Sequence, residues 1–251
     1  MLDKLLVSDI LYAATSTGAE FAEVFVESNK KNSLGLINGK LERALSGIDF
    51  GIGIRIINKD RMVYVYTNKK DRESLIQLIA SSMEYANMVV YEKSRENKEY
   101  EGMGTTLEIC LIYNNRVYIG HIGDSRVYRI RNKVMRKLTK DHSYVQQLLE
   151  DKKITREEAM HHPKKNMLTK ALGCTSYIDP DLRARVINKN DIILMCSDGL
   201  TNMVSEEEIY QITKENPKEA ANKLTMLANN HGGYDNITVL IIMWGEKKVW
   251  I

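Results

Sequence analysis

Four times along this chain, two runs of alternating or apolar residues are separated by only two or three turn-forming residues. Asn38-Gly39 divides Leu34–Leu36 from Leu41–Leu45, and Asn58-Lys59-Asp60 divides Gly51–Ile57 from Met62–Thr67. Asn114-Asn115 divides Thr105–Tyr113 from Arg116–Gly123, and Arg131-Asn132-Lys133 divides Arg126–Ile130 from Val134–Leu138. Connections this short cannot join parallel strands, which need a crossover of about a dozen residues or more. They fold the chain back on itself, and asparagine and glycine tolerate the positive φ that tight hairpins demand. Antiparallel sheet is therefore the main fabric of the fold. Leu2, Leu5, Leu6, Ile10 and Ala13 recur at helical spacing before Gly18, and Ala22, Val24 and Val26 then alternate as in a strand. The opening is expected to be one helix followed by a four-stranded antiparallel meander.

Helical patterns interrupt the strands. From Asp71 to Asn97, Leu75, Leu78, Ile79, Met83, Ala86, Val89 and Val90 form an apolar stripe. Thr155 with Glu158, and Ser205 with Glu208, have the spacing of capping boxes that open two later helices. Further strands are expected at Ala184–Ile187, Asp191–Cys196 and Asn236–Trp244. Long antiparallel strands mixed with amphipathic helices predict an α+β fold of layered sheets flanked by helices.

Composition narrows the class. The 251 residues are 43% hydrophobic and 27% charged, as in an ordinary globular protein. No run of about 18 apolar residues would span a membrane, and the amphipathic start with Asp3 and Asp9 lacks the pattern of a secretory signal. The cytoplasm is the expected location. A net charge of +3 from 36 basic and 33 acidic residues gives no reason to expect nucleic acid. Cys110, Cys174 and Cys196 are widely spaced without metal-ligand pattern, and are read as buried reduced thiols.

Three aspartates share one kind of place, at the end or start of an apolar strand beside glycine or a small residue. Asp124 follows Val117–Gly123, Asp198 follows Ile192–Ser197, and Asp235 precedes Asn236 and the strand Ile237–Ile242. Converging carboxylates there would make an oxygen-rich site for Mg²⁺ or Mn²⁺. Alone, each is more often a turn or helix cap, and spacing does not show that the three meet.

Four segments carry a resemblance. GMGTTLEICLIYNNRVYIGHIGDSRVYRI (102–130), KDHSYVQQLLEDKKITREEAMHHPKKNMLTKALG (140–173), IILMCSDGLTNMVSEEEI (192–209) and GGYDNITVLII (232–242) closely resemble metal-dependent protein phosphatases of the 2C type. The resemblance implies an αββα sandwich and hydrolysis of phosphoserine or phosphothreonine in phosphorylated proteins. It also implies a dinuclear Mn²⁺ or Mg²⁺ centre ligated by Asp198 and Asp235. Asp124 would share a further, weaker metal position with Asp198. Residues 142–173 resemble the family's flap beside the substrate cleft, where His161 and His162 are read as flap or helix-end residues rather than ligands. The family's phosphate-gripping arginine, the acidic pair after it and the Asp-Gly-Met-Gly-Gly turn have no counterpart here. Glu101-Gly102-Met103-Gly104 is a decoy, since Thr105-Thr106-Leu107 continues it as the family's separate Gly-Met-Gly-Thr-Thr segment.

A different resemblance stands in their place. AEFAEVFVESNKKNSLGLINGKLERALSGIDFGIGIRI (19–56) and YTNKKDRESL (66–75) look like the N-terminal domain of TldD/PmbA metallopeptidases. The chain thus reads as a chimera: a TldD/PmbA-like segment over 1–80 and the later part of a phosphatase domain over 81–251. The two resemblances meet in the helix at 71–97, and the new strands are expected to replace the lost ones in one sheet system. No HExxH-like helix supports peptidase activity. Two functions stay open: a Mn²⁺/Mg²⁺-dependent phosphatase, or a catalytically inactive fold serving as a scaffold or binding module. An exposed strand edge at the junction would favour self-association.

Overall fold

The computed structural model describes residues 21–37, 40–58, 61–67, 69 and 71–245. The helix expected near the N-terminus lies outside them. The chain divides into two compact units, residues 1–82 and 83–251.

In the first unit, strands β1 (Phe21–Ile37), β2 (Lys40–Asn58) and β3 (Arg61–Thr67) form an antiparallel sheet in the order β1-β2-β3. Ile37 pairs with Lys40 and Asn58 with Arg61, so both hairpins fall where the turn chemistry placed them. The expected four-stranded meander is corrected to three strands. One ladder runs from Phe21–Ile57 to Ile37–Lys40 with a single register shift at Gly35/Leu36. The polar stretches at 28–33 and 46–49 therefore continue long strands instead of ending short ones. The single sheet system is corrected too: β1–β3 make a sheet of their own, with no ladder to another strand among the described residues.

Helix α1 (Arg72–Glu96) begins in this unit and continues into the second. Its stripe is buried at Leu75, Leu78, Ile79 and Met83. Ser82 and Asn87 are buried as well. The Asn87 side chain accepts from the Gly173 N–H (2.8 Å) and donates to the Thr175 carbonyl (2.9 Å), so each polar end is satisfied.

The second unit holds two more antiparallel sheets. Strands β4 (Leu107–Tyr113), β5 (Arg116–Ile122) and β8 (Asp181–Val186) form one, in the order β4-β5-β8. Strands β6 (Arg126–Arg131), β7 (Val134–Lys137), β9 (Ile192–Cys196) and β10 (Val239–Met243) form the other, in the order β10-β9-β6-β7. Both hairpin turns are left-handed, at Asn114 and Asn115 (φ 47° and 56°) and at Asn132 and Lys133 (φ 49° and 63°).

Period-two alternation sends β6 into two cores at once. Val127 joins Val117, Ile119, Ile187 and Ile193 between the sheets. Its neighbour Tyr128 joins Leu194, Leu200, Ile209, Leu224 and Ala228 beneath helices α4 (Asp198–Thr201), α5 (Glu206–Glu215) and α6 (Pro217–Asn230).

Short helices α2 (Tyr144–Glu150) and α3 (Arg156–Met160) lie in the segment read as a flap. Its neck is pinched: Ser143 bridges Leu168, the Tyr144 N–H donates to the Met167 carbonyl, and the Thr169 N–H donates to the His142 carbonyl. Both expected capping boxes are present, at Thr155/Glu158 and Ser205/Glu208. Cys196 is buried and Cys110 half-buried, but Cys174 is exposed, contrary to expectation, because it sits in an irregular loop after Gly173. Among the described residues, no helix is long and apolar enough to cross a membrane.

Candidate functional site

The strand ends at the aspartates are shaped by two glycines. Gly123 lies in the left-handed region (φ +111°), and a Cβ there would stand 2.3 Å from Thr106 Cγ2. Only glycine makes this turn freely, and it carries the chain out of β5 so that Asp124 emerges beside the start of β6. At Gly199 the constraint is space, since a Cβ would meet the Asn236 carbonyl oxygen at 2.4 Å. That close approach draws the loop carrying Asp235 onto the start of α4.

Ser197 fastens the same junction. Its hydroxyl donates to the Asn236 carbonyl and accepts from the Thr238 N–H, both at 3.0 Å, while its own N–H donates to the Thr238 carbonyl. Asp198 follows, half-buried, with Asn202 Nδ2 donating to its Oδ2 at 3.1 Å. Asp235 is exposed, and its Oδ1 accepts from the Asn236 N–H at 2.7 Å.

The aspartates feel one another's charge. Burial, then the negative charges of Asp198 and Asp141, push the Asp124 carboxyl up to about 6. Burial and Asp235 raise Asp198, with Asn202, the Gly199 N–H and Arg126 offsetting part of the effect. Asp198 thus stands electrostatically between Asp124 and Asp235, and a positive ion would relieve both repulsions. Their oxygens are the hard donors that Mn²⁺ and Mg²⁺ prefer. Yet among the described residues no three His, Cys, Asp or Glu groups stand close enough to hold a metal ion together. The carboxylates fit the chemistry of such ions but not a full ligand set. His161 ends α3, and His162 accepts through Nδ1 from the Lys164 N–H beside the Tyr144 ring.

Behind the aspartates lies a polar layer that the motifs did not disclose. Arg126 binds Asp141 through Nε and Nη2 (3.0 and 2.7 Å to Oδ2), and Lys137 reaches the other oxygen at 3.0 Å. Burial alone would raise Asp141, but Arg126 and Lys137 outweigh it and hold the carboxyl below its ordinary value.

His142 grips Gly123 from both sides, its N–H donating to the Gly123 carbonyl (2.7 Å) and its Nδ1 accepting from the Gly123 N–H (3.1 Å). The His142 ring lies 4.7 Å from that of His121. His121 is fully buried, with Nε2 at 2.8 Å from the Lys140 carbonyl and Nδ1 at 2.9 Å from Glu108 Oε1. A carbonyl oxygen only accepts, so Nε2 carries a proton, and one more proton lies between Nδ1 and Glu108. Burial raises Glu108, with His121 offsetting part.

Glu108→Gln should therefore be tolerated, its amide nitrogen donating to Nδ1. Glu108→Ala leaves that ring nitrogen without a partner and should cost about 1–3 kcal/mol. Urea unfolding of the two variants checks this. The i to i+13 and i to i+15 spacings of these pairs belong to no local pattern, so only alternation along β4 and β6 hinted at them.

Two family matches overlap along the chain over residues 56–86. Residues 22–86 match PmbA/TldA metallopeptidase domain 1, and residues 56–234 match Protein phosphatase 2C. The chain is 39% identical over 172 residues to the serine/threonine phosphatase stp of Listeria monocytogenes serotype 4b, covering 68% of each protein. It is 41% identical over 170 residues to the protein phosphatase PhpP of Streptococcus pneumoniae, covering 67% of this chain and 69% of that one. Against stp of Listeria innocua the match spans 62% of the relative's length.

Among solved structures, the S. agalactiae serine/threonine phosphatase is similar with a TM-score of 0.66 and 26% identity, covering 87% of this chain and 100% of that one. The catalytic domain of serine threonine protein phosphatase PstP, in complex with two manganese ions, is similar with a TM-score of 0.62 and 26% identity, covering 87% and 97%. The chain belongs to the protein phosphatase 2C family.

Proposed function

We propose that this chain is a Mn²⁺- or Mg²⁺-dependent phosphatase of phosphoserine and phosphothreonine in proteins. In this reading its phosphatase part is residues 81–251, and a TldD/PmbA-like segment at 1–80 occupies the place of the family's first strands. The observation that carries the reading is that Asp124, Asp198 and Asp235 sit at strand ends near enough for Asp198 to raise the Asp124 carboxyl and for Asp235 to raise that of Asp198. Asp198 and Asp235 would hold the catalytic ions, and Asp124 with Asp198 a weaker one. Bound there, such ions supply an acidified water and a charge that stabilises phosphoryl oxygens. The chain's own part is to hold these carboxylates at rigid strand ends, through Gly123, Ser197 and Gly199.

A second reading is an inactive scaffold of phosphatase ancestry. The observation in its favour is that no three potential ligands stand together among the described residues. Release of phosphate from a phosphothreonine peptide, in Mn²⁺ and in EDTA, separates the two. Turnover that appears with Mn²⁺ and vanishes with EDTA is the expected result. A folded protein with no turnover in either buffer leaves the scaffold reading.

A further inference from the structure

The layer between the two sheets of the second unit is apolar at its centre and basic at one margin. Val127 of β6 points into the inter-sheet core, so Arg129 and Arg131, at two-residue steps, lie on the same face. Arg136 of β7 is the cross-strand partner of Arg129 and shares it. From the opposing sheet, Arg185 of β8 pairs with Val117, itself a member of that core. The two margins meet at Val186, whose carbonyl accepts from Arg129 Nη1 (3.2 Å) and Arg131 Nη2 (3.0 Å).

Among the described residues the charges here do not balance. Asp191 is engaged by Arg131, whose Nε donates at 2.8 Å, and by the Asn188 N–H, also at 2.8 Å. Arg185 donates to the adjacent Ala184 carbonyl, and Arg129 Nε is buried without an acceptor. Burial and the charge of Arg131 hold Arg129 below the usual guanidinium value, with Arg136 and Arg185 adding to the effect and Asp191 opposing it. Arg136 and Arg185 are exposed.

We propose that this margin is an anion site for a phosphate-class oxyanion, held by Arg129, Arg136 and Arg185. Guanidinium groups bind phosphate oxygens in a planar, two-point fashion, and an anion here would supply the missing negative charge. The site is distinct from the aspartates. Along β6, Arg129 stands three residues, roughly 10 Å, from Arg126, which faces Asp141 behind them, and alternation puts the two on opposite faces of the sheet. Inward-pointing charges that guard edge strands against association would account for Arg136 and Arg185, because β7 and β8 are edge strands. They do not account for Arg129 and Arg131, because β6 is an interior strand.

The test does not depend on catalysis. The full chain is titrated with sodium phosphate in EDTA, with ionic strength held constant by sodium chloride, and binding is read by calorimetry and thermal shift. Saturable phosphate binding is expected, weakened at least tenfold in R136Q/R185Q and changed less than twofold in D198N. Near-UV circular dichroism verifies that the double variant is folded, and the single R136Q variant, altered at an exposed side chain, gives the same direction with a smaller loss. A phosphothreonine peptide that binds at least tenfold tighter than free phosphate assigns the site to a phosphorylated chain, and equal affinity assigns it to the free anion. Phosphate binding no stronger than chloride, or unchanged in folded R136Q/R185Q, would overturn the proposal and leave these arginines as edge charges.

Discussion

Asp198→Ala should reduce Mn²⁺-dependent hydrolysis of a phosphothreonine peptide by on the order of 10²–10³ or more, the scale of losing one electrostatic contact to a transition state. Asp198 is the residue linked to both other aspartates, raising Asp124 and being raised by Asp235. Its removal leaves two carboxylates with no third between them. The same substitution relieves repulsion in the metal-free protein, so its folding stability in EDTA should be unchanged or slightly higher. Activity then falls while stability does not, which a merely structural aspartate would not produce. Measuring both on one preparation decides the matter, and a variant that keeps its turnover overturns the role given to Asp198.

Arg126→Ala should destabilise the protein by about 3–5 kcal/mol at neutral pH, because it strips the principal partner from a buried carboxylate. Asp141 is 7% exposed, and Lys137 alone would remain to balance it. The pH dependence gives the mechanism away. In the wild type the folded-state carboxyl lies below its ordinary 3.8. The pair's contribution is therefore present above that value and is lost as pH falls through the lower folded-state one. In the variant, burial instead favours the protonated acid. The deficit should be largest near pH 7 and shrink as pH is lowered toward 4. Denaturant midpoints across that range test it, and a pH-independent difference would point to lost packing of the arginine stem instead.

Local chemistry made much of this fold legible. The Asn-Asn and Asn-Lys turns, both capping boxes and the alternation of β6 are rules acting over a few residues, and the structure follows them. What escaped was set at long range. Ser28–Ser33 and Gly47–Asp49 look like strand breaks, yet one continuous register carries β1 and β2 through them. Asn87 looks like a polar interruption of the α1 stripe. Its partners stand 86 and 88 residues away, at Gly173 and Thr175. In the candidate site, strand ends and glycines singled out Asp124, Asp198 and Asp235. The layer of Arg126, Asp141, Glu108, His121 and His142 behind them was not apparent, since its pairings depend on β4 lying beside β5 and on the chain after β7 returning past Gly123 and Arg126.

The pinched neck of the segment between Ser143 and Leu168 has a consequence for how such proteins diversify. Because entry and exit are bonded to each other, the enclosed residues 144–167 can change in number without moving His142, and so without disturbing Gly123 or Asp124. Loop-closure entropy grows only logarithmically, so even doubling the enclosed length would cost roughly 0.6 kcal/mol. This stretch is therefore a tolerant place for insertions, deletions and grafted sequences, and changes can accumulate there while the strand ends that carry the aspartates stay still.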